Sequence, residues 1–445
     1  MSRFLEKTRL KTILVLAVPI MLGMVSQNVL NLVDTAFVGR AGPEALAAVG
    51  LGGFANFLFV AFLQGMGVGV QAIAARRMGE GRKGELASGL NASLVIAVAI
   101  GVPALLVGWW LADDIFQLLN HDPKVVGIGA DYLGARFLAI PAVAANFAFR
   151  GYWNGTNRST CYLVTLLLMH AVNIVLDYGL IFGRLGLPEL GAAGAGYATS
   201  IAIWVGTGIY VGMALSRSRA EGFLKRAGLT EALKRVVRLS LPSSFQQTFF
   251  AAGFVMFFTI AGKIGTDALA ASSVLINLLL VCILPGLGLG LAGASLVGQA
   301  LGRKNPEDAR RWGLEVAVIG AVVMGVMGLV LALLPRLWLG VFIVDSPQTL
   351  ELAVVPLQLL GFAMVLDGVG VVLLNVLAGA GDTMAALIMN VVAQWVLFLP
   401  LAWFLAVHLG WGMNALWAGM IGYRLLLGLM VWVRFRSGRW VEIEV

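Results

Sequence analysis

Apolar runs long enough to cross a bilayer follow one another through the whole chain, and no other feature restricts its folding as much. Inside hydrocarbon every backbone N–H and C=O must find its partner within the protein, which leaves helices and closed barrels as the spanning structures. Windows of about twenty mainly apolar residues predict helices over 12–38, 46–75, 89–111, 126–152, 161–182, 193–215, 240–262, 268–300, 314–334, 352–378, 385–407 and 414–433, twelve in all. Charged residues make up only 12% of the chain and mean hydropathy is +0.91, whereas soluble domains carry about 25% charged residues. The expected fold class is an all-α polytopic membrane protein. Cys161 and Cys282 lie beside or inside apolar runs and suggest neither a disulfide framework nor a thiolate metal site. The first run continues to Val38 without a cleavage site, so it reads as a span rather than a secretory leader.

A net charge of +8 raises nucleic acid or anionic substrates as partners, but the bases sit in short clusters between spans and are better read as topology signals. With the N-terminus in the cytoplasm, the inner side collects Arg3, Lys7, Arg9 and Lys11, then Arg76, Arg77, Arg82 and Lys83, and then the basic stretch from Arg217 to Arg238. Arg303, Lys304, Arg310 and Arg311 follow, and Arg434, Arg436 and Arg439 complete the set. The outer side holds scattered bases such as Arg40, Lys124 and Arg184, together with Asp113, Asp114 and Asp122. Both termini are therefore expected in the cytoplasm of a cell whose inner (plasma) membrane holds the protein.

Shifting the sequence by 223 positions aligns Pro19 with Pro242, Gly39 with Gly262, Ala45-Leu46-Ala47-Ala48 with Ala268-Leu269-Ala270-Ala271, Gly65 with Gly288 and Gly67 with Gly290. Six spans separate the copies, an even number, so two six-helix lobes are expected, residues 1–227 and 228–445, related by a pseudo-twofold axis along the membrane normal. The basic segment 216–238 joins them as a solvated, lipid-facing linker; the alternative is a surface helix with Leu224, Leu229, Leu233 and Val236 or Val237 as its apolar stripe.

Polar residues inside spans are the candidates for function. In span 5, His170, Asn173 and Asp177 share one helical face, and in span 1 so do Gln27, Asn31 and Asp34. An intramembrane aspartate costs about 2.5–3.5 kcal/mol on insertion scales, so it faces a cavity or a partner. At 1.5 Å per residue both carboxylates fall in the outer part of the membrane. Two acids in one poorly hydrated pocket repel, and a proton held between them is the chemistry of a proton-coupling site; the plainer alternative is that each braces a helix. Pro19 makes a bend available in span 1, as a hinge or as an architectural kink repeated at Pro242. Asp367 in span 10 belongs to a cation or substrate site, or is held by an internal hydrogen bond. Glu315, near the inner end of span 9, is expected to snorkel, and His170 either moves protons or packs. Signatures of zinc proteases, P-loop enzymes and serine hydrolases are missing from the sequence.

VDTAFVGR after Pro19, MGEGRKGE and LGRKNPEDARR after spans 2 and 8, RGYWNGTNR, and NIVLDYGLIFG in span 5, in this order and within a six-plus-six duplication, resemble the multidrug and toxic compound extrusion (MATE) family. The resemblance covers nearly the whole chain. It implies alternating access and antiport of cationic or lipophilic small molecules against protons or sodium, without a cofactor, by a monomer in contact with membrane lipids. On the pattern of the DinF-like, proton-linked branch the coupling residues are Asp34, Asn173 and Asp177, with Thr199 in GYATS as a further member and the same three residues as the set for Na+. Asp367 matches an aspartate of the sodium-linked NorM-like branch, but Phe250 stands where that branch carries a glutamate, which tilts coupling toward the first lobe. A flippase for lipid-linked glycans is the related alternative; it would line its cavity with arginines, which here lie mainly in loops. A membrane-embedded transferase would need paired acidic motifs; Asp113-Asp114 is the only Asp-Asp pair.

Overall fold

The computed structural model describes residues 6–343 and 346–445; Arg3 of the inner basic set lies outside the described residues. The first half forms α1 (Lys7–Gly39), α2 (Pro43–Gly79), α3 (Ser88–Trp110), a short α4 (Ala112–Leu119), α5 (Pro123–Phe137), α6 (Ile140–Gly155), α7 (Ser159–Phe182) and α8 (Gly191–Arg217). The second forms α9 (Leu229–Ile264), α10 (Thr266–Gly302), α11 (Pro306–Leu333), a short α12 (Pro335–Phe342), α13 (Pro347–Gly379), α14 (Thr383–His408) and α15 (Gly412–Ser437). Among the described residues eleven helices are long and apolar enough to span a membrane, and twelve when α5 and α6 count as one bent span. The 223-residue shift carries α2 onto α10 and α4 onto α12 end for end, so the duplication extends to the short helices between spans.

The fourth span differs from the single helix expected over 126–152: α5 and α6 meet at 47°. Pro141 in the first turn of α6 has no N–H to give and disfavours helical geometry in the residue before it, so the ladder is interrupted there. A milder disturbance occurs in α14, where π-helical turns over Val392–Phe398 and Phe404–His408 flank Pro400, the wider turns accommodating the missing donor.

The helices pack as two compact units, Leu22–Ser244 and Met1–Met21 with Phe245–Val445. The divisions fall inside α1 and α9, just past Pro19 and Pro242, and not at the 227/228 boundary expected from the linker. Glycine contacts account for this. A Cβ on Gly65 of α2 would lie 2.2 Å from the Ser244 backbone nitrogen, and one on Gly69 2.2 Å from the Ser240 hydroxyl, so the N-terminal half of α9, the inner half in the expected topology, lies directly against α2. In the other unit a Cβ on Gly288 of α10 would lie 2.4 Å from Met21 Cγ, and the shift that turns Gly65 into Gly288 turns Met21 into Ser244. Each copy thus sends the inner half of its seventh or first span to the same place.

Nor does the linker form a surface helix. Residues 218–228 are turns and irregular backbone, and Leu229, Leu233 and Val236 belong to α9. The segment is docked: Asn91 at the start of α3 donates to the Gly222 carbonyl (2.8 Å) and accepts from the Leu224 amide (2.9 Å), Arg158 pairs with Glu221 (2.5 Å), the Tyr152 hydroxyl also donates to Glu221, and Phe223 is buried.

Glu315 does not snorkel. Its carboxylate is wholly buried and accepts from Arg9 (2.6 Å) and Arg311 (2.9 Å), while Arg9 also binds Asp308 (2.7 Å) and stacks 3.5 Å over the Trp312 ring. This cluster fixes the inner end of α1 to α11 within one unit.

Candidate ion-coupling site

The polar face of α7 arises from spacing alone, since Tyr162, Thr165, His170, Asn173 and Asp177 fall among its buried positions at helical intervals. The outer half of α1 runs along this face in the same direction. Gly23 admits the Tyr162 ring, which a Cβ would meet at 2.7 Å; Gln27 meets His170 at 3.3 Å; Asp34 meets Asp177; and Phe37 meets Phe182 edge-on at 5.9 Å. Asp34 and Asp177 each lie five residues from the outer end of their helix (34 to 39, 177 to 182), a depth of about 7.5 Å.

At this level the Asp34 and Asp177 carboxyls are within hydrogen-bonding reach of each other. Asn173 donates its amide to Asp177 at 2.5 Å, and Gln27 donates to Asn31 at 3.2 Å, forming a second, deeper chain with His170. Asp177 and Asn173 are buried and Asp34 is half-buried. Thr199 on α8 is not drawn into the cluster: among the described residues its hydroxyl bonds the Ala195 carbonyl one turn back, at 2.9 Å. The small residues around it hold α8 close, with a Cβ at Gly194 2.5 Å from the Leu180 carbonyl and Ser200 donating to Ala135 at 2.7 Å. Pro19 lies inside a continuous α1, below this site.

Sequence reasoning missed Arg136 and Tyr132. Arg136 on α5 acts electrostatically on both carboxyls, and buried Tyr132, one turn away, interacts with all three charges. The signal was present in the sequence, an arginine inside an apolar window on the side of the membrane where bases are scarce. Asp367 belongs to the other unit and is paired with Arg424 at 2.6 Å, a second arginine that hydropathy concealed.

Ionised carboxylates only accept hydrogen bonds, so two within reach must share a proton or a cation. Asp34, Asn173 and Asp177 each keep one buried side-chain oxygen without a hydrogen-bond partner. Oxygens left in this way can accept a proton or a hard cation. No group of three His, Cys, Asp or Glu side chains placed to hold a metal occurs among the described residues.

The MatE family profile matches residues 19–179 and again 242–404, two copies whose starts are separated by the same 223 residues as the internal repeat. Curated relatives include probable multidrug resistance proteins NorM of Rhodopseudomonas palustris, 31% identical over 441 residues (96% of this chain, 91% of that protein), and of Bradyrhizobium diazoefficiens, 30% identical over 431 residues (95% and 92%). Among solved structures, the outward-facing conformation of a multidrug resistance MATE family transporter of the MOP superfamily superposes with a TM-score of 0.87 at 24% identity, over 96% of this chain and 95% of that one. By the doubled profile match, the full-length relatives and the shared fold, this chain belongs to the MATE family of membrane transporters.

Proposed function

We propose that the protein is a secondary efflux antiporter that exports cationic or lipophilic small molecules across the inner membrane in exchange for protons, with Asp34, Asn173 and Asp177 as its coupling site. The observation that carries this reading is the contact between the Asp34 and Asp177 carboxyls, with Asn173 holding Asp177. A carboxylate makes substrate and ion mutually exclusive, because its charge attracts a cation and a bound proton cancels that charge. Asn173 orients Asp177, and Arg136 supplies a fixed positive charge to both acids. Gln27, Asn31 and His170 continue the polar face inward along the route a substrate would take, and Pro19 offers a hinge where α1 passes from one unit to the other. The multidrug resistance named for the relatives supports the substrate class, and the inner basic clusters support cytoplasmic termini. Sodium is the second reading, favoured by the three unpartnered oxygens.

An inward proton contributes about 2.3 kcal/mol per 100 mV of potential, so one coupled proton suffices for substantial accumulation outside. Asp34→Asn and Asp177→Asn nearly keep the side-chain volume and remove the switch. Each is expected to abolish efflux of a fluorescent cationic dye from proteoliposomes at matched protein levels. Imposed pH and sodium gradients, applied separately, identify the ion. Wild-type export by both variants would refute the assignment.

A further inference from the structure

Arg424 and Asp367 form a buried ion pair at mid-depth of the other unit. The Arg424 Nη2–Asp367 Oδ2 distance is 2.6 Å, and the two side chains are 8% and 5% exposed. Arg424 lies twelve residues from either end of α15 within one residue, and Asp367 twelve residues from the inner end of α13, which puts both about 18 Å from the nearest helix end. No snorkelling side chain reaches water from there with ease.

The pair is held by backbone packing as well as by charge. One turn further along, a Cβ on Gly370 of α13 would lie 2.9 Å from Gly428 Cα of α15, so the two helices run in glycine contact beside the ion pair. On the opposite side of α13 a Cβ on Gly368 would lie 2.7 Å from the Gly320 carbonyl of α11. With helices this close on both sides, Asp367 cannot leave Arg424 unless α13 and α15 separate. Among the described residues the further titratable group acting on Arg424 is its neighbour Tyr423.

A carboxylate in such surroundings needs a counter-charge, and three species can supply it: a proton, an alkali cation or a fixed guanidinium. Arginine stays protonated under all physiological conditions. We propose that Arg424 is a tethered counter-cation that fills a latent monovalent-cation site at Asp367, so that this unit takes up neither sodium nor protons at that carboxylate, and that removing the guanidinium opens the site to sodium. The inference concerns the unit that does not hold the proposed coupling site and stands independently of it.

The test is heat unfolding of the purified full-length protein in sodium chloride and in choline chloride at equal ionic strength. All variants carry Asp34→Asn, so that sodium at that carboxyl does not register. Without further change, or with Arg424→Lys, the midpoint is expected to be the same in both salts. With Arg424→Met it is expected to rise by at least about 2 °C in sodium, since a ligand that binds only the folded state shifts the midpoint. Adding Asp367→Asn to Arg424→Met should remove the response. Should Arg424→Met not fold, rescue of folding by Asp367→Asn/Arg424→Met supports the pairing, and lack of rescue overturns it. A sodium shift with Arg424 intact that Asp367→Asn removes, or an Arg424→Met protein indifferent to sodium, likewise overturns the proposal.

Discussion

Replacing Glu315 by Gln removes the buried carboxylate that two arginines share, and its cost follows from how each bond is placed. Arg9, whose side chain is 13% exposed, donates at 2.6 Å, a charge-assisted bond in a dry setting that contributes about 1.5–3 kcal/mol. Arg311 is 41% exposed, so its bond is that of a surface pair and adds little. The cost of Glu315→Gln is therefore set by the Arg9 bond, about 1.5–3 kcal/mol. Arg9→Met removes the first of these bonds together with the bond to Asp308 and the stack on Trp312, the stack adding about 0.5–1 kcal/mol, so its loss should be at least as large. The decisive quantity is the coupling. Because both substitutions break the same Arg9–Glu315 bond, the double variant should be more stable than the sum of the two single losses predicts, by about 1.5–3 kcal/mol. Equilibrium unfolding in detergent, followed by tryptophan fluorescence because Trp312 lies in the cluster, gives all four corners of the cycle. Additivity within about 0.5 kcal/mol would show that the inner end of α1 is not held through Glu315.

Two further outcomes are expected. Gly65→Ala and Gly288→Ala place a methyl group where Ser244 and Met21 already stand, and each should lower stability by about 1–3 kcal/mol; unchanged unfolding midpoints would contradict the glycine account of how α1 and α9 are divided between the units. Asn91→Ala releases the carbonyls of Gly222 and Lys225 and the amide of Leu224; at about 1.4 kcal/mol per tenfold change, losing one to two net bonds should speed protease cleavage within 218–228 about tenfold, and equal cleavage rates would show that the segment is held by Phe223 and Glu221 alone.

The spans, their number and their duplication were legible because the bilayer imposes one length and one hydrogen-bonding solution on every crossing segment. The bend at Pro141 was harder to see, since composition marks an apolar window without saying where its ladder breaks. Asp34 and Asp177 could be brought together from depth alone, as both helices run outward and both carboxylates stop equally far from the outer end. Arg136, Arg424 and the partners of Glu315 were not found, for a common physical reason. A hydropathy window tolerates a single charge, and the groups that neutralise it sit on helices remote in sequence, as with Arg9 and Glu315, so the neutralisation becomes visible only once the helices are packed.

The division of the chain into units follows the same logic. Loops suggested a boundary in the linker, yet packing is decided by glycines, and the 223-residue shift that pairs Gly65 with Gly288 also pairs Met21 with Ser244. Taken as a statement about contacts instead of residues, that repeat requires the inner halves of α1 and α9 to be treated alike. As a result α1 is a single continuous helix whose inner end is fixed by Arg9 in one unit and whose outer end carries Asp34 in the other. On the coupling role proposed for Asp34, a change of charge there would act on the same continuous helix that Arg9 anchors at its other end, and Pro19 lies between the two, where the missing backbone hydrogen bond makes bending least costly.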